Sequence, residues 1–181
     1  AYPFHAGLDT QVKIDTQDKF MTEDNVVVCA TIAFGMGIDK ADVRYVAHIS
    51  LPSSMEAFYQ EIGRAGRDGL EAETLLIFGL QDLFQRKRFI DMSDAHDSFK
   101  IKEHKRLDAL IAYCDSATCR RQTLLSYFKE TCEPCGKCDN CLNPPQMIDG
   151  TEYAQMVLSA IYRTGQYFGS GHIVDVLRGV D

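Results

Sequence analysis

A chain of 181 residues, 45% of them hydrophobic, is long enough for one sizeable core and a second, smaller unit. No apolar run approaches the roughly 18–20 residues of a membrane span, and the opening Ala-Tyr-Pro-Phe-His lacks the basic-then-apolar pattern of a secretory signal, so the reading is a cytosolic protein that folds in water. A net charge of −7 speaks against nucleic-acid binding through overall basicity. Seven Lys/Arg against four Asp/Glu between Arg86 and Arg106 still allow a local basic face, or an ordinary solvated helix of mixed charge.

Tyr2-Pro3-Phe4 runs into His5-Ala6-Gly7-Leu8 without a Met or a polar lead-in, as in a chain cut from something longer. Residues 10–24 read as an amphipathic helix with Val12, Ile14, Phe20 and Met21 inward, and Asn25 as the turn out of it. Val26-Val27-Val28-Cys29-Ala30-Thr31 is β-branched and unbroken, which predicts a parallel strand covered on both faces. Further strands are predicted at Val43–Ile49 and Thr74–Phe78, with a helix from Ser53 to Ala65 between them, so the fold class is α/β with a right-handed crossover. From Asp82 to Tyr127 the apolar spacing turns helical, through Leu107, Leu110, Ile111, Leu124, Leu125 and Phe128, and predicts a helical hairpin. Asn143-Pro144-Pro145-Gln146 reads as a stiff linker, followed by a helix at Tyr153–Tyr162 and a second, shorter one after Gly169-Ser170-Gly171. About 35 residues are too few for an independent core, so this last unit reads as truncated.

Seven cysteines are many for such a chain, and five of them fall within 119–141. In a reducing compartment that crowding favours metal over disulfides. Cys119-x15-Cys135-x2-Cys138-x2-Cys141 can close a tetrahedral thiolate shell, and Pro134 and Gly136 suit a knuckle whose N–H groups point at bound sulfur, so a structural zinc is predicted. Cys132 continues the Cys-x2-Cys series, which leaves an iron–sulfur cluster as an alternative, although ferredoxin-type clusters use a longer last step followed by proline. A redox Cys-x2-Cys pair lacks a strand-to-helix setting. Cys29 and Cys114, in apolar segments, read as small core residues.

Two further segments carry chemistry. In Gln60-Glu61-Ile62-Gly63-Arg64-Ala65-Gly66-Arg67-Asp68-Gly69, two arginines three apart on one face of a helix end could serve a nucleotide γ-phosphate, or be ordinary surface charge. In Ala30-Thr31-Ile32-Ala33-Phe34-Gly35-Met36-Gly37-Ile38-Asp39, a buried strand ends in a glycine-bearing loop with a carboxylate, where ligand loops of open α/β sheets lie, although a Gly-x-Gly can also be a plain turn.

In this order and spacing the pieces resemble the RecQ helicase family over essentially the whole chain. Phe4–Leu8, Ala33-Phe34-Gly35-Met36-Gly37-Ile38-Asp39-Lys40 and Tyr59–Gly69 look like motifs of that family's second RecA-like lobe. Thr118-Cys119-Arg120-Arg121 and Glu133-Pro134-Cys135-Gly136-Lys137-Cys138-Asp139-Asn140-Cys141 look like its bacterial zinc-binding module, and the end of the chain resembles the opening of its winged-helix domain. The resemblance implies an N-terminally truncated lobe at 1–81, a helical hairpin and zinc module at 82–143, and a linker with the beginning of a winged helix at 144–181. It implies catalytic roles for Arg67, the arginine finger, and Arg64. Gly35, Gly37, Asp39 and Gln60 would line the nucleotide side of the cleft with those arginines, while His5 and Thr31 would lie nearer a DNA strand. One zinc would sit on Cys119, Cys135, Cys138 and Cys141, leaving Cys132 without a family role. The complete protein would be a bacterial, nucleoid-associated enzyme that uses ATP and Mg2+ to unwind duplex DNA at single-strand junctions in recombination and repair.

One departure limits the chain itself. It contains no Gly-x4-Gly-Lys-Ser/Thr and no Walker B Asp-Glu pair, so the groups that hold phosphate and magnesium would come from a missing N-terminal lobe. The fragment alone is therefore not expected to hydrolyse ATP. A stand-alone zinc-containing DNA-binding module is the competing reading.

Overall fold

The computed structural model describes residues 1–31, 34 and 38–180. Strand β1 (Tyr2–Phe4), helix α1 (Thr10–Thr22) and strand β2 (Val28–Ala30) form one strand–helix–strand unit whose strands pair in parallel, Phe4 opposite Ala30. Strand β3 (Tyr45–His48), helix α2 (Met55–Ile62) and strand β4 (Glu73–Leu76) form a second, with His48 opposite Leu76. Helices α3 (Leu80–Asp91), α4 (Asp97–Asp115) and α5 (Arg120–Tyr127) follow, then the short α6 (Asp139–Leu142), and finally α7 (Thr151–Arg163) and α8 (Ser170–Arg178). The parallel α/β order is as the sequence predicts. Strand β1, too short to carry a periodic signal, was not foreseen.

Three expectations change on packing. Val12 and Ile14 are two positions apart on a helix, roughly opposite one another, so both cannot face inward. The covered stripe of α1 is instead the one centred on Thr16, with Lys13, Lys19 and Phe20 half-buried beside it. Thr16 is 3% exposed, whereas Val12, Ile14 and Met21 lie open to solvent. The segment 26–31 is not a strand covered on both faces: β2 has three residues, Val27 is 59% exposed, and Cys29 is exposed rather than a core residue. Among the described residues β2 pairs only with β1 and β3 only with β4, so neither strand has the two neighbours that bury a parallel sheet. The helical stretch 82–127, in turn, is three helices rather than a hairpin, broken at 92–96 and 116–119.

The core lies where α2 meets the helices that follow β4. Leu51, Met55 and Phe58 pack with Leu107 and Leu110 of α4 and Leu124 of α5, all nearly inaccessible to solvent. Leu76 and Phe78 line this core while Leu75 and Ile77 are exposed, the alternation of a strand with one covered face. Aromatic rings extend the contact, Phe58 to Tyr113 at 5.5 Å and Tyr59 to Phe128 at 4.9 Å. Tyr127 donates to the Glu56 carboxylate at 2.8 Å, and Lys137 meets Glu71 at 2.5 Å. The sheet side and the cysteine side of the chain therefore share one hydrophobic interior. Helices α7 and α8 cover each other through Ala160 and Ile173 and otherwise present apolar side chains such as Tyr153 and Tyr162 to solvent.

Candidate functional site

The turn after α2 is built from the sheet outward. Ser54 caps α2 by accepting from the Ala57 N–H, and the helix stops at Ile62 with Gly63 as its cap. Arg64 and Arg67 therefore do not share a helix face, as the sequence suggested. They stand in successive turns beyond the helix, because Gly66 (φ +65°) and Gly69 (φ +80°) take the left-handed conformation that a helix cannot continue through. A Cβ at Gly66 would lie 2.9 Å from the Leu70 carbonyl oxygen, so the position requires glycine on space as well as conformation.

This turn is fastened to the approach to β3. The N–H groups of Gly66 and Asp68 donate to the carbonyls of Val43 (2.9 Å) and Ala41 (3.2 Å). The Arg44 guanidinium pairs with the Asp68 carboxylate, holds it below the usual carboxylate range, and also reaches the Glu71 carbonyl at 3.0 Å. At the helix end, His48 Nε2 lies 2.6 Å from the Glu61 carboxylate.

Of the residues singled out in this region, Asp39 and Arg67 come together. Arg67 NH1 donates to Asp39 Oδ1 at 2.5 Å, and its Nε reaches the Gly63 carbonyl at 3.3 Å. Arg67 keeps an accessible side chain, Arg64 is half-buried, and Gln60 is exposed on the last turn of α2. His5 and Thr31 follow β1 and β2 directly, both are exposed, and the Thr31 N–H donates to the Phe4 carbonyl at 3.1 Å, so they are neighbours at the carboxyl end of that strand pair. Gly35 and Gly37 lie outside the described residues.

The cysteine cluster is the most compact arrangement. The sulfurs of Cys119, Cys135, Cys138 and Cys141 all lie within 4.8 Å of one another. Four thiolates about 2.3 Å from a tetrahedral zinc would be separated by roughly 3.8 Å, and Cys119 and Cys138 stand at 4.0 Å, so the donor set fits one zinc ion. Cys132 is outside this group and contributes its carbonyl to the Gln122 amide at 2.9 Å. Burial of Cys119 opposes ionisation, but the N–H groups of Cys135 and Gln122 outweigh it and bring the thiol down to about 6. Cys138 moves the same way, burial again being overcome, here by the Arg120 N–H. Cys141, whose thiol is engaged by Cys138, moves up. Backbone donors thus stabilise part of the negative charge that a metal would complete.

Arg120, to which the sequence assigned no role, ties the cluster to the helices. Its guanidinium donates to the Tyr113 and Cys114 carbonyls at the end of α4, both at 2.8 Å, and to both Asp139 oxygens at the start of α6, at 3.0–3.2 Å. Asn140 adds bonds to the Ser116 (2.7 Å) and Thr118 (2.8 Å) carbonyls. The only signal that could have found these residues is their place beside the cysteines, since their partners lie at least 19 residues away or in another helix. Burial pushes the Cys114 thiol up to about 11, as befits a packed thiol outside the cluster.

Family comparisons match the chain in three consecutive segments. The helicase conserved C-terminal domain matches residues 1–69, the RecQ zinc-binding family residues 80–142, and the RQC domain residues 144–181. Curated relatives include the ATP-dependent DNA helicases RecQ of Haemophilus influenzae and Pasteurella multocida, each 45% identical over 181 residues, and that of Bacillus subtilis, 41% identical over 178. These alignments take in 97–99% of this chain but only 28–30% of each relative, so the chain spans under a third of the proteins it resembles. No helix among the described residues is long and apolar enough to cross a membrane. On three consecutive family matches and this identity, the chain belongs to the RecQ family.

Proposed function

We propose that this chain is the second motor lobe, the zinc module and the first part of the winged-helix domain of an ATP-dependent DNA helicase, divided at 1–81, 82–143 and 144–181. The observation that carries the reading is the Asp39–Arg67 pair, which joins two motifs 28 residues apart beside a pinned arginine turn. Phosphoryl transfer needs positioned positive charge more than covalent help from the protein. Arg67 would exchange Asp39 for a γ-phosphate as the arginine finger, with Arg64 beside it, while Gly35, Gly37, Asp39 and Gln60 line the same side of the cleft. The phosphate loop that holds ATP and Mg2+ would come from the other RecA-like lobe of the complete enzyme. His5 and Thr31, side by side at the ends of β1 and β2, are suited to meet a DNA strand, and the zinc and winged-helix parts to meet the duplex at its junction. Cys119, Cys135, Cys138 and Cys141 would hold one zinc, whose contribution is a structural cross-link. Work on chromosomal DNA would place the complete protein in the bacterial cytoplasm, at the nucleoid.

The test is Arg67→Ala in the complete helicase. DNA-stimulated ATP turnover should fall by on the order of 10³ or more, with zinc content and folding unchanged. Arg67→Lys should recover little, since a point charge on a flexible stem does not reproduce the planar fork. Near-normal hydrolysis by both Arg67→Ala and Arg64→Ala would overturn the motor reading in favour of a stand-alone zinc-containing DNA-binding module.

A further inference from the structure

Glu61 violates a local rule. It stands in the last turn of α2, where the exposed carbonyls already make the helix end negative and a carboxylate is disfavoured, and no basic residue of that turn offsets it. Its partner comes from the sheet instead. His48, the last residue of β3, places Nε2 2.6 Å from Glu61 Oε2, with side chains only 13% and 26% exposed. The ring is held edge-on by Phe58 at 5.3 Å, its Nδ1 is buried without a hydrogen-bond partner among the described residues, and its carbonyl accepts from the Ile77 N–H beyond β4 at 2.8 Å. Both groups of the pair thus occupy sites unfavourable to them singly, which is the pattern of residues retained for what they hold in place.

What they hold is the start of the arginine turn. The Glu61 carbonyl accepts from the Arg64 N–H at 3.4 Å, so one residue is bonded to β3 through its carboxylate and to Arg64 through its backbone. The far end of the turn is tied to the approach to β3 by the Gly66 and Asp68 N–H groups and the Arg44–Asp68 pair. Both ends of the arginine turn are therefore referenced to one strand. We propose that His48 and Glu61 are positioning residues for ATP hydrolysis, locking the end of α2 to β3 so that Arg64 and Arg67 enter the nucleotide cleft at a set height. This inference rests on the assignment of those arginines to the cleft. It predicts an effect on turnover rather than on nucleotide capture, because a misplacement of about 1 Å at a catalytic group can cost on the order of 10²-fold in rate.

The experiment measures DNA-stimulated ATP turnover of the complete helicase for His48→Ala, Glu61→Ala, Glu61→Gln, the double alanine variant and Arg67→Ala, with melting temperature and zinc content recorded for each. Either single alanine should lower kcat roughly 10- to 100-fold with KM for ATP within about 3-fold, and the double variant should lose no more than the worse single. Glu61→Gln, which keeps an acceptor for the imidazole N–H, should recover most of the turnover lost in Glu61→Ala. Should His48→Ala fail to fold, His48→Leu replaces it, since leucine fills the space against Phe58 but cannot donate to Glu61, and the same loss of kcat is expected. A wild-type kcat in well-folded Glu61→Ala, or additive losses in the double variant, overturns the proposal. If these variants behave like wild type while Arg67→Ala is inactive, only the positioning role fails. If Arg67→Ala and Arg64→Ala are themselves active, the cleft assignment fails with it.

Discussion

Replacing Arg120 by Ala removes a side chain of α5 that bonds to both α4 and α6, and the structure sets the size of the effect. Two of its bonds go to the Tyr113 and Cys114 carbonyls, among the last of α4, where the Tyr113 carbonyl also accepts from the Ser116 N–H of the helix cap at 3.3 Å. A guanidinium at that negative end gains both hydrogen bonding and dipole energy, about 1.5 kcal/mol for each bond at the low end for charged donors. The Asp139 pair adds less, because Asp139 is 65% exposed and such ion pairs contribute roughly 0.5–1 kcal/mol. Arg120→Ala should therefore destabilise by about 3–4 kcal/mol in urea unfolding of the metal-loaded chain, and should hasten zinc loss to a chelator because the Arg120 segment also donates an N–H to Cys138. Arg120→Lys should restore less than half. Arg120 holds the Asp139 carboxyl below its usual range, so that carboxylate contributes above the ordinary carboxylate pKa and its contribution is lost as pH falls through the lowered value. Acid should accordingly weaken wild type more than Asp139→Asn. Unfolding of Arg120→Ala within about 0.5 kcal/mol of wild type, with unchanged zinc retention, would refute the clamp.

Three other outcomes are expected. Purified protein should carry one zinc per chain by elemental analysis. Cys119→Ser, Cys135→Ser or Cys138→Ser should release it and loosen the 107–141 region, whereas Cys132→Ser should keep it. Leu110→Ala, at a residue with 0% exposure, should cost about 3–4 kcal/mol, and probes on α2 and on the cysteine side should melt together because they share that core. Gly66→Ala should destabilise by at least about 1 kcal/mol, since φ is +65° and the new methyl meets the Leu70 carbonyl, and should lower ATP turnover in the complete helicase.

What the sequence alone determined was the content carried by neighbours in the chain. Parallel strand–helix–strand order, a helix over Tyr153–Tyr162 that the structure extends to 151–163, a shorter one after Gly169-Ser170-Gly171, and the linker between 143 and 150 follow from periodicity, glycine and proline. The cysteine set was legible because Cys-x2-Cys-x2-Cys spacing brings three ligands together locally, and Cys119 was the remaining cysteine of the resembling motif. Tertiary structure decided the rest. Thr16 rather than Ile14 is covered, because a helix buries the stripe its neighbours reach and not every apolar position. Cys29 is exposed although its segment is apolar, because coverage depends on strands and helices elsewhere in the chain. Arg67 with Asp39, Arg120 with Asp139 and His48 with Glu61 are 28, 19 and 13 residues apart, and no propensity or period links residues at such separations. Those pairings form only when the strands and helices dock, since each is a long-range contact whose ordering is met by the shared core of α2, α4 and α5.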